Sequence, residues 1–223
     1  RMHHIDFKGA IFTNFSQDHL DYHKNMTSYL NAKFLLFKEI LKKKSTIISD
    51  KKIPQFKFIK KIAKKNKFKL IDINPEFEKI KKFSKRFDSD FKIKNLSMAV
   101  EATRLCGLKS KLIYEAVQKT KDINGRLELV KKYPNGVKIF IDYAHTPDAL
   151  LKTLESLRFN YGNNISLVFG CGGERDYKKR PLMAKIANKY CNKIYVTDDN
   201  PRNENPKKIK RELLNHILRS KAF

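Results

Sequence analysis

The chain has 223 residues, of which 41% are hydrophobic and 32% charged, and this is the composition of a globular protein with a substantial core. The formal net charge of +26 favours an anionic partner, such as nucleic acid or another anionic surface. The lysines are spread through the predicted helices, however, and the chain carries no zinc-finger or RNP signature. A basic nucleic-acid-binding module therefore stays an alternative rather than the main interpretation.

Three cysteines are too few and too scattered for a disulfide framework or a zinc site, and they suit a reducing, cytoplasmic environment. No apolar run within these residues approaches the roughly 18 residues of a membrane span, so we expect no membrane partner. The chain begins at Arg1 rather than at a methionine. We therefore expect it to be a piece of a longer protein.

The amino-terminal part begins with a predicted strand, Ala10 to Phe15, and a polar run follows it from Ser16 to His23. Two imidazoles and two carboxylates within that run suit a divalent-cation- or phosphate-handling loop, although such a run taken alone is more often a solvated turn. Apolar spacing predicts a helix over Met26 to Lys44. Lys33 lies among apolar neighbours in that helix. Its side chain either extends to water or is desolvated, which would favour the neutral amine that covalent chemistry needs.

Short strands are predicted at Thr46 to Ser49 and Lys69 to Ile73, and residues 45–89 support no functional interpretation. Two helices, Asn95 to Gly107 and Lys109 to Thr120, precede a glycine-containing linker. We place a domain boundary there, giving domains of residues 1–123 and 124–223.

The second domain alternates strands and helices. Strands are predicted over residues 136–142, 165–170 and 193–197, and helices begin at Pro147, Pro181 and Pro206. This β-α-β-α-β-α order predicts an α/β fold with a parallel sheet and right-handed crossovers.

Polar segments follow each of the three predicted strands. They are Asp142–His145, Gly170–Asp176 and Asp198–Arg202. The carboxyl ends of parallel strands share one edge of a sheet, where ligands of α/β proteins bind. The third segment packs carboxylates, an amide and a guanidinium together and should bind a zwitterion. The sequence therefore predicts a ligand site at this edge.

These segments resemble the Mur ligases, the ATP-dependent amide-forming enzymes of peptidoglycan precursor synthesis. The matching stretches run in the family's order and include TNFSQDHLDYH, YLNAKFLLF, NGRLE, DYAHTPDAL, GCGGERDYKKRPLMA and TDDNPRNENP. The resemblance implies the latter part of a central ATPase domain followed by an incomplete Rossmann-like carboxyl-terminal domain. It also implies that the phosphate-binding loop lies outside the 223 residues, which we expect to be inactive alone.

The resemblance also implies roles for individual residues. Lys33 matches a lysine that the family carbamylates, and His19 matches a magnesium ligand of the same centre. Positions that match ATP contacts are Asn95, Arg126, Asp142 and His145. The family's Phe-Asn-x-x-Asn pattern appears here as Phe91-Lys92-Ile93-Lys94-Asn95, so that only Asn95 of this pattern is matched. Positions that match substrate contacts are Arg1, Arg175, Asp199, Asn200, Pro201 and Arg202.

Within the family the resemblance is greatest to members that add meso-diaminopimelate to UDP-MurNAc-L-Ala-D-Glu, with ATP and Mg²⁺ as cofactors. The Asn-Pro-Arg form at Asn200 to Arg202 goes with meso-diaminopimelate, and an Asn-Pro-Ala form goes with lysine. The second carboxylate of diaminopimelate suits a bidentate guanidinium, which would repel the ammonium of lysine. The resemblance therefore implies a cytoplasmic, monomeric ligase, and an L-lysine-adding ligase is the first alternative.

Overall fold

A computed structural model describes residues 5–83 and 89–223 of the chain. The described elements in chain order are β1 (Gly9–Phe12), α1 (Leu20–His23), α2 (Met26–Leu35), β2 (Thr46–Ser49), α3 (Phe56–Asn66), β3 (Lys69–Asp72), α4 (Asn74–Phe83), α5 (Asp90–Leu105), α6 (Ser110–Lys119), β4 (Glu128–Lys132), β5 (Lys138–Ile141), α7 (Pro147–Tyr161), β6 (Ser166–Phe169), α8 (Lys179–Tyr190), β7 (Lys193–Val196) and α9 (Pro206–Leu214). No helix among these is long and apolar enough to span a lipid bilayer.

The chain divides into two compact units. The first contains the chain up to Phe15 together with Thr27–Thr120, and the second contains Ser16–Met26 and Lys121–Phe223. The second unit therefore recruits a short segment from far upstream. The predicted boundary at residues 123 and 124 stays a prediction.

The first unit is built on a parallel sheet in the order β1-β2-β3. The central strand β2 is buried along its whole length, and Ile47 and Ile48 are 0% and 1% exposed. Burial on both faces is typical of parallel strands and suits the adjacent apolar residues Ile47 and Ile48, whose side chains point to opposite faces. Both strands predicted for this region, β2 and β3, are confirmed.

Helix α2 confirms the prediction of a helix from Met26, but its carboxyl-terminal end differs from a regular α-helix. Residues Leu36–Ile40 form a π-helical turn, and the amide of Leu41 donates to the carbonyl of Leu36 at 3.0 Å. Phe34 and Phe37 are both buried, at 4% and 2% exposure. Hydrophobic spacing alone gives no sign of the wider turn.

Helices α4, α5 and α6 share a charged contact in the first unit. Glu76 is 2% exposed, and its Oε2 lies 2.8 Å from Nη1 of Arg104. The hydroxyl of Tyr114 donates to Glu76 Oε1 at 2.8 Å. Burial, followed by this hydrogen bond to Glu76, raises the pKa of Tyr114.

The second unit confirms only part of the predicted parallel sheet. Strands β6 and β7 pair in parallel, with Leu167 opposite Ile194. Strand β5, predicted to join them, instead pairs antiparallel with β4. A tight turn causes this: the amide of Tyr133 donates to Val137 at 2.8 Å, and Gly136 adopts a φ of 86°. Asn-Gly sequences favour such hairpins.

Two helix starts in the second unit follow the predicted capping chemistry. The Thr146 side chain accepts a hydrogen bond from the amide of Ala149 at 3.3 Å, ahead of Pro147. The Asn205 side chain accepts from the amide of Lys207 at 2.9 Å, ahead of Pro206. The helices pack on β7 around a shared apolar core that includes Leu150, Leu154, Met183, Ala187, Ile194, Ile209 and Leu213.

Candidate functional site

Two loops meet where β6 and β7 end. The loop Gly170–Arg175 follows β6, and the loop Thr197–Arg202 follows β7. The amide of Gly173 donates to the carbonyl of Asn200 at 2.9 Å. In return, Nη1 of Arg202 donates to the carbonyl of Gly173. Parallel pairing of the strands therefore brings two of the three predicted polar segments together.

The loop Gly170–Arg175 requires glycine because the backbone of the loop Thr197–Arg202 lies very close to it. A Cβ atom added to Gly173 would lie 1.9 Å from the carbonyl oxygen of Pro201. A Cβ atom on Gly170 would lie 2.5 Å from the carbonyl oxygen of Thr197. Both contacts are with backbone, which has little room to move. The glycines thus allow two backbones to touch.

The side chains matched to an amino-acid pocket lie mostly at the surface. Asp199, Asn200 and Arg202 are exposed, and Pro201 is half-buried. Arg202 has a φ of 49°, and its amide donates to Asn200 Oδ1 at 3.3 Å. A left-handed backbone is unusual for arginine and costs roughly 1 kcal/mol. Local hydrogen bonds hold the residue in this conformation.

Arg175 is exposed and lies beside the upstream segment of the same unit. Its Nη1 lies 3.6 Å from Asp21 Oδ2. The neighbouring Asp176 is buried and accepts a hydrogen bond from Nε2 of Gln17 at 2.9 Å. The polar run after β1, interpreted from sequence as a cation loop or a solvated turn, thus packs on the loop after β6.

Asp142 is surrounded by donors from its own unit. Its Oδ2 accepts from the amide of Leu127 at 2.7 Å, and its Oδ1 accepts from the amide of Ala144 at 2.8 Å. The hydroxyl of Thr153 also donates to Oδ1, at 3.1 Å. These bonds fasten the end of β5 to the start of β4 and to α7. Asp142 therefore has a clear structural role.

Two further predicted residues, Arg126 and His145, lie against Tyr143. The guanidinium carbon of Arg126 is 4.6 Å from the centre of the Tyr143 ring. His145 Nδ1 lies 3.0 Å from the Tyr143 carbonyl oxygen. Its Nε2 is 3.5 Å from Asp18 Oδ2, and His19 Nε2 is 3.4 Å from the same oxygen. The structure therefore gathers Arg126, Asp142, His145 and His19 in the second unit.

The remaining predicted residues lie elsewhere. Lys33 and Asn95 belong to the first unit; Lys33 is half-buried with Nζ 4.9 Å from the Tyr29 ring centre, and Asn95 is exposed on α5. Arg1 lies outside the described residues. Within the described ranges, no three His, Cys, Asp or Glu side chains are grouped so as to hold a metal ion. An unmodified lysine does not ligate a cation, so a metal-binding role for Lys33 requires the carbamate and stays a prediction, as does the role of His19 as a magnesium ligand.

Buried residues under the two loops were not predicted. Cys171 is 4% exposed, and burial raises the pKa of its thiol to about 11. Arg180 is 1% exposed and pairs with Glu204 and Glu212. From sequence, Lys178-Lys179-Arg180 has the pattern of a solvated basic run. In the structure its last two members are buried, with Lys179 at 6% and Arg180 at 1% exposure.

A glycine-containing loop and an arginine-containing loop meet here at the carboxyl edge of parallel strands, which is where α/β domains commonly bind ligands, and a guanidinium suits an acidic or phosphorylated group. Comparison with known proteins narrows the class. The profile of the Mur ligase middle domain matches residues 1–113, and that of the Mur ligase glutamate ligase domain matches residues 125–222. The chain belongs to the Mur ligase family.

Curated relatives include the UDP-N-acetylmuramoyl-L-alanyl-D-glutamate–2,6-diaminopimelate ligases of Rickettsia bellii (strain RML369-C) and Aquifex aeolicus (strain VF5). They are 39% and 37% identical over 94% and 97% of this chain, and 48% of each relative is covered. The chain thus spans about half the length of these relatives.

Solved structures agree with the family assignment. A UDP-N-acetylmuramoyl-L-alanyl-D-glutamate–2,6-diaminopimelate ligase matches with a TM-score of 0.53 and 27% identity, over 97% of this chain and 49% of the other. A Mycobacterium tuberculosis folylpolyglutamate synthase complexed with ADP matches with a TM-score of 0.76, over 99% of this chain and 54% of the other. Its sequence identity is only 13%, so this match supports the fold alone.

Proposed function

We propose that this chain is part of an ATP-dependent ligase that adds meso-diaminopimelate to UDP-MurNAc-L-Ala-D-Glu in peptidoglycan synthesis. The relatives' names give these substrates, and family membership supports the reaction class. The observation that carries the proposal for this chain is the contact between Arg202 and the loop at Gly173. It places a guanidinium at the carboxyl edge of a parallel sheet, where a zwitterionic amino acid would bind.

Recognition of the amino acid rests on charge and geometry. Diaminopimelate ends in a second α-amino acid group, and Arg202 would bind its carboxylate with two parallel hydrogen bonds. Asp199 and Asn200 supply acceptors for the ammonium group of the same end. Lysine offers only an ammonium group at that end, which a guanidinium repels. Arg202 therefore becomes the residue that determines specificity.

The proposed reaction has two steps. The γ-carboxylate of the D-glutamyl residue attacks the γ-phosphorus of ATP, which gives an acyl phosphate and ADP. The amine of diaminopimelate then attacks the acyl carbon, and the tetrahedral intermediate releases phosphate and a proton to leave the amide. Positioning and electrostatic stabilisation of the developing charge would supply most of the rate enhancement.

The chain's own residues would divide the remaining work. Arg126 and His145 of the second unit would contact ATP in this proposal, and Asp142 holds the backbone that carries Arg126. Asn95 of the first unit is proposed separately as an ATP contact. Lys33, as a carbamate, would be a magnesium ligand, and His19 is proposed separately as a magnesium ligand. Bound magnesium would offset phosphate charge. Lys33 is the residue whose modification this proposal requires, and its side chain is half-buried.

The deciding experiment measures amino-acid-dependent phosphate release by the complete ligase that carries these residues. We expect release with meso-diaminopimelate and little with L-lysine. Arg202→Ala should raise the KM for diaminopimelate by roughly 10- to 100-fold, because a charge-assisted pair is lost. Arg219→Ala, on an exposed arginine of the same unit, is the matched control. If the unmutated enzyme prefers L-lysine, the proposal of meso-diaminopimelate is wrong and the chain is part of an L-lysine-adding ligase.

Two further parts of the proposal are tested on the 223 residues themselves. They contain no Gly-x-x-x-x-Gly-Lys-Ser/Thr sequence, and we expect no turnover from them alone. If the +26 charge instead reflects a nucleic-acid-binding module, binding to duplex or single-stranded nucleic acid will persist at physiological salt with a steep salt dependence. We expect weak binding that salt abolishes. A cytoplasmic location and a monomeric state remain predictions.

A further inference from the structure

Arg180 is the most buried large cation of the second unit's described residues. It lies near the start of α8 and is 1% exposed. Its Nη1 donates to Glu212 Oε2 at 2.8 Å, and its Nη2 donates to Glu204 Oε1 at 2.9 Å. One cation thus sits between two carboxylates that belong to α9 and to the loop before it.

The same guanidinium reaches both loops of the candidate site. Its Nη2 also donates to the carbonyl of Gly172 at 3.2 Å. Glu204 Oε1, which accepts from Arg180, also accepts from the amide of Glu174 at 2.5 Å. The amide of Glu204 in turn donates to the carbonyl of Pro201 at 3.0 Å. The Arg180–Glu204 pair therefore joins the loop Gly170–Arg175 to the loop Thr197–Arg202.

Stability alone is a weak reason for this arrangement. Burial by itself would lower the pKa of Arg180, and the hydrogen bonds to Glu204 and Glu212 more than reverse this and raise it. The hydrogen bond from Arg180 lowers the pKa of Glu204. Arg180 Nε has no hydrogen-bond partner among the described residues. Well-packed apolar residues are often as stable as such buried pairs, so a role in fixing geometry is the better explanation.

We propose that Arg180 and Glu204 are positioning residues that set the spacing between the Gly172–Arg175 backbone and the Arg202 guanidinium. Because the Arg202 guanidinium binds the far carboxylate in the proposed function, on which this inference rests, the pair controls affinity for the amino acid. Neither residue needs to touch the substrate. Lysine at position 180 keeps the charge but lacks the planar fork that spans Glu204, Glu212 and Gly172.

The first test needs no substrate and uses the 223-residue chain. Amide hydrogen exchange is measured by NMR in Arg180→Lys and in the matched surface control Arg211→Lys. Amide exchange at Gly173 and Glu174 should become about tenfold faster in Arg180→Lys. The reason is that the substitution weakens the hydrogen bonds that these amides donate to Asn200 and Glu204. The amide of Thr197, bonded to Phe169 within the sheet, should be unchanged. Unchanged exchange at Gly173 and Glu174 would overturn the proposal.

A second variant keeps this test decisive where Arg180→Lys unfolds the unit. Glu204→Gln preserves side-chain size and an acceptor for Glu174 but removes the charge that faces Arg180. Faster exchange confined to the two loops supports positioning. Loop amides that exchange at the unmutated rate in the folded Glu204→Gln chain would refute it.

The second experiment separates positioning from simple stabilisation in the complete ligase. Arg180→Lys and Glu204→Gln should each raise the KM for diaminopimelate by about tenfold, while kcat and the KM for ATP change by less than about threefold. A purely structural role would reduce the active fraction and leave the KM for diaminopimelate unchanged, which contradicts the inference. Absence of amino-acid-dependent phosphate release in the unmutated ligase would reject the proposed function instead, while the exchange result would stand.

Discussion

The guanidinium of Arg202 donates a hydrogen bond to the backbone carbonyl of Gly173, which lies 29 residues earlier in the chain. A side chain that would otherwise be mobile is held against a loop that follows the neighbouring strand. Such preorganisation reduces the entropy that a ligand must remove on binding. The contact depends on a glycine, since the two backbones are too close for any Cβ atom at position 173.

Gly173→Ala should therefore damage the site more than a typical glycine substitution. The added methyl group overlaps the Pro201 carbonyl, and one of the two loops must move. We expect a loss of about 3 kcal/mol in the free energy of unfolding. Urea denaturation measures it, with Gly136→Ala as the control: that turn has positive φ and open space, and its strain costs about 1 kcal/mol. Equal losses in both variants would contradict the steric argument.

Asp142→Asn should destabilise the second unit. An amide nitrogen would replace one of two carboxylate oxygens that accept three hydrogen bonds from Leu127, Ala144 and Thr153. We expect a decrease of about 2 kcal/mol in the free energy of unfolding. Asp148→Asn, whose partner Lys152 lies at the surface, should cost at most about 0.5 kcal/mol. Asp142→Asn with unchanged stability would leave nucleotide contact as the better explanation of this residue.

Glu76→Gln tests the buried charge of the first unit. The substitution leaves Arg104 facing an uncharged amide at a position that is 2% exposed. Breaking one partner of such a pair costs about 3 kcal/mol. Thermal or urea unfolding provides the measurement, and Glu78→Gln on the exposed face of α4 is the matched control. Equal free energies of unfolding for Glu76→Gln and Glu78→Gln would contradict this prediction.

The cysteines predict both thiol reactivity and a pH dependence of stability. Cys106 is exposed, and burial raises the pKa of Cys171 and Cys191 to about 11. At pH 8 a thiol reagent should label Cys106 rapidly and the other two only after denaturation. Their ordinary pKa is near 9.0. Between this value and about 11 the unfolded thiols ionise while the folded thiols stay protonated, so the free energy of unfolding falls as pH rises.

Serine variants isolate the contribution of the two buried thiols to this pH dependence. Cys171→Ser and Cys191→Ser should each flatten the fall in unfolding free energy between pH 9 and 11, because serine does not ionise there. Cys106→Ser, at an exposed position, should leave the slope unchanged. A slope that is identical in all three variants would assign the pH dependence to other groups.

Local chemistry made part of the fold predictable. Thr146-Pro147 and Asn205-Pro206 start helices through contacts within a few residues, and both starts are confirmed. The parallel pairing of β6 with β7 followed from the alternation of strands and helices. The hairpin of β4 and β5 was not predicted, although Asn135-Gly136 is typical of such a turn, because the alternating apolar residues of β5 indicate one more strand of the parallel sheet. Ile139 and Ile141 are in fact exposed, at 42% and 50%.

The candidate site was predictable only where its residues follow a strand. The Gly170–Arg175 and Asp198–Arg202 segments were found from their place after β6 and β7. Arg180 and Glu204 were not, since their burial depends on α9 and on loops far away in sequence. The resemblance to Mur ligases named Lys33 and His19 for one metal centre. Both metal-binding roles stay predictions.

The assignment of Ser16–Met26 to the second unit has a consequence for how the chain folds as it is made. Gln17 and Asp176, which are hydrogen bonded, are separated by 159 positions. Closing so long a loop is entropically costly, and contacts of high sequence separation form slowly. During synthesis this segment leaves the ribosome before Asp176 does, and it cannot form this contact until Asp176 has emerged. The second unit therefore completes its structure late, whichever part of the chain begins to fold first.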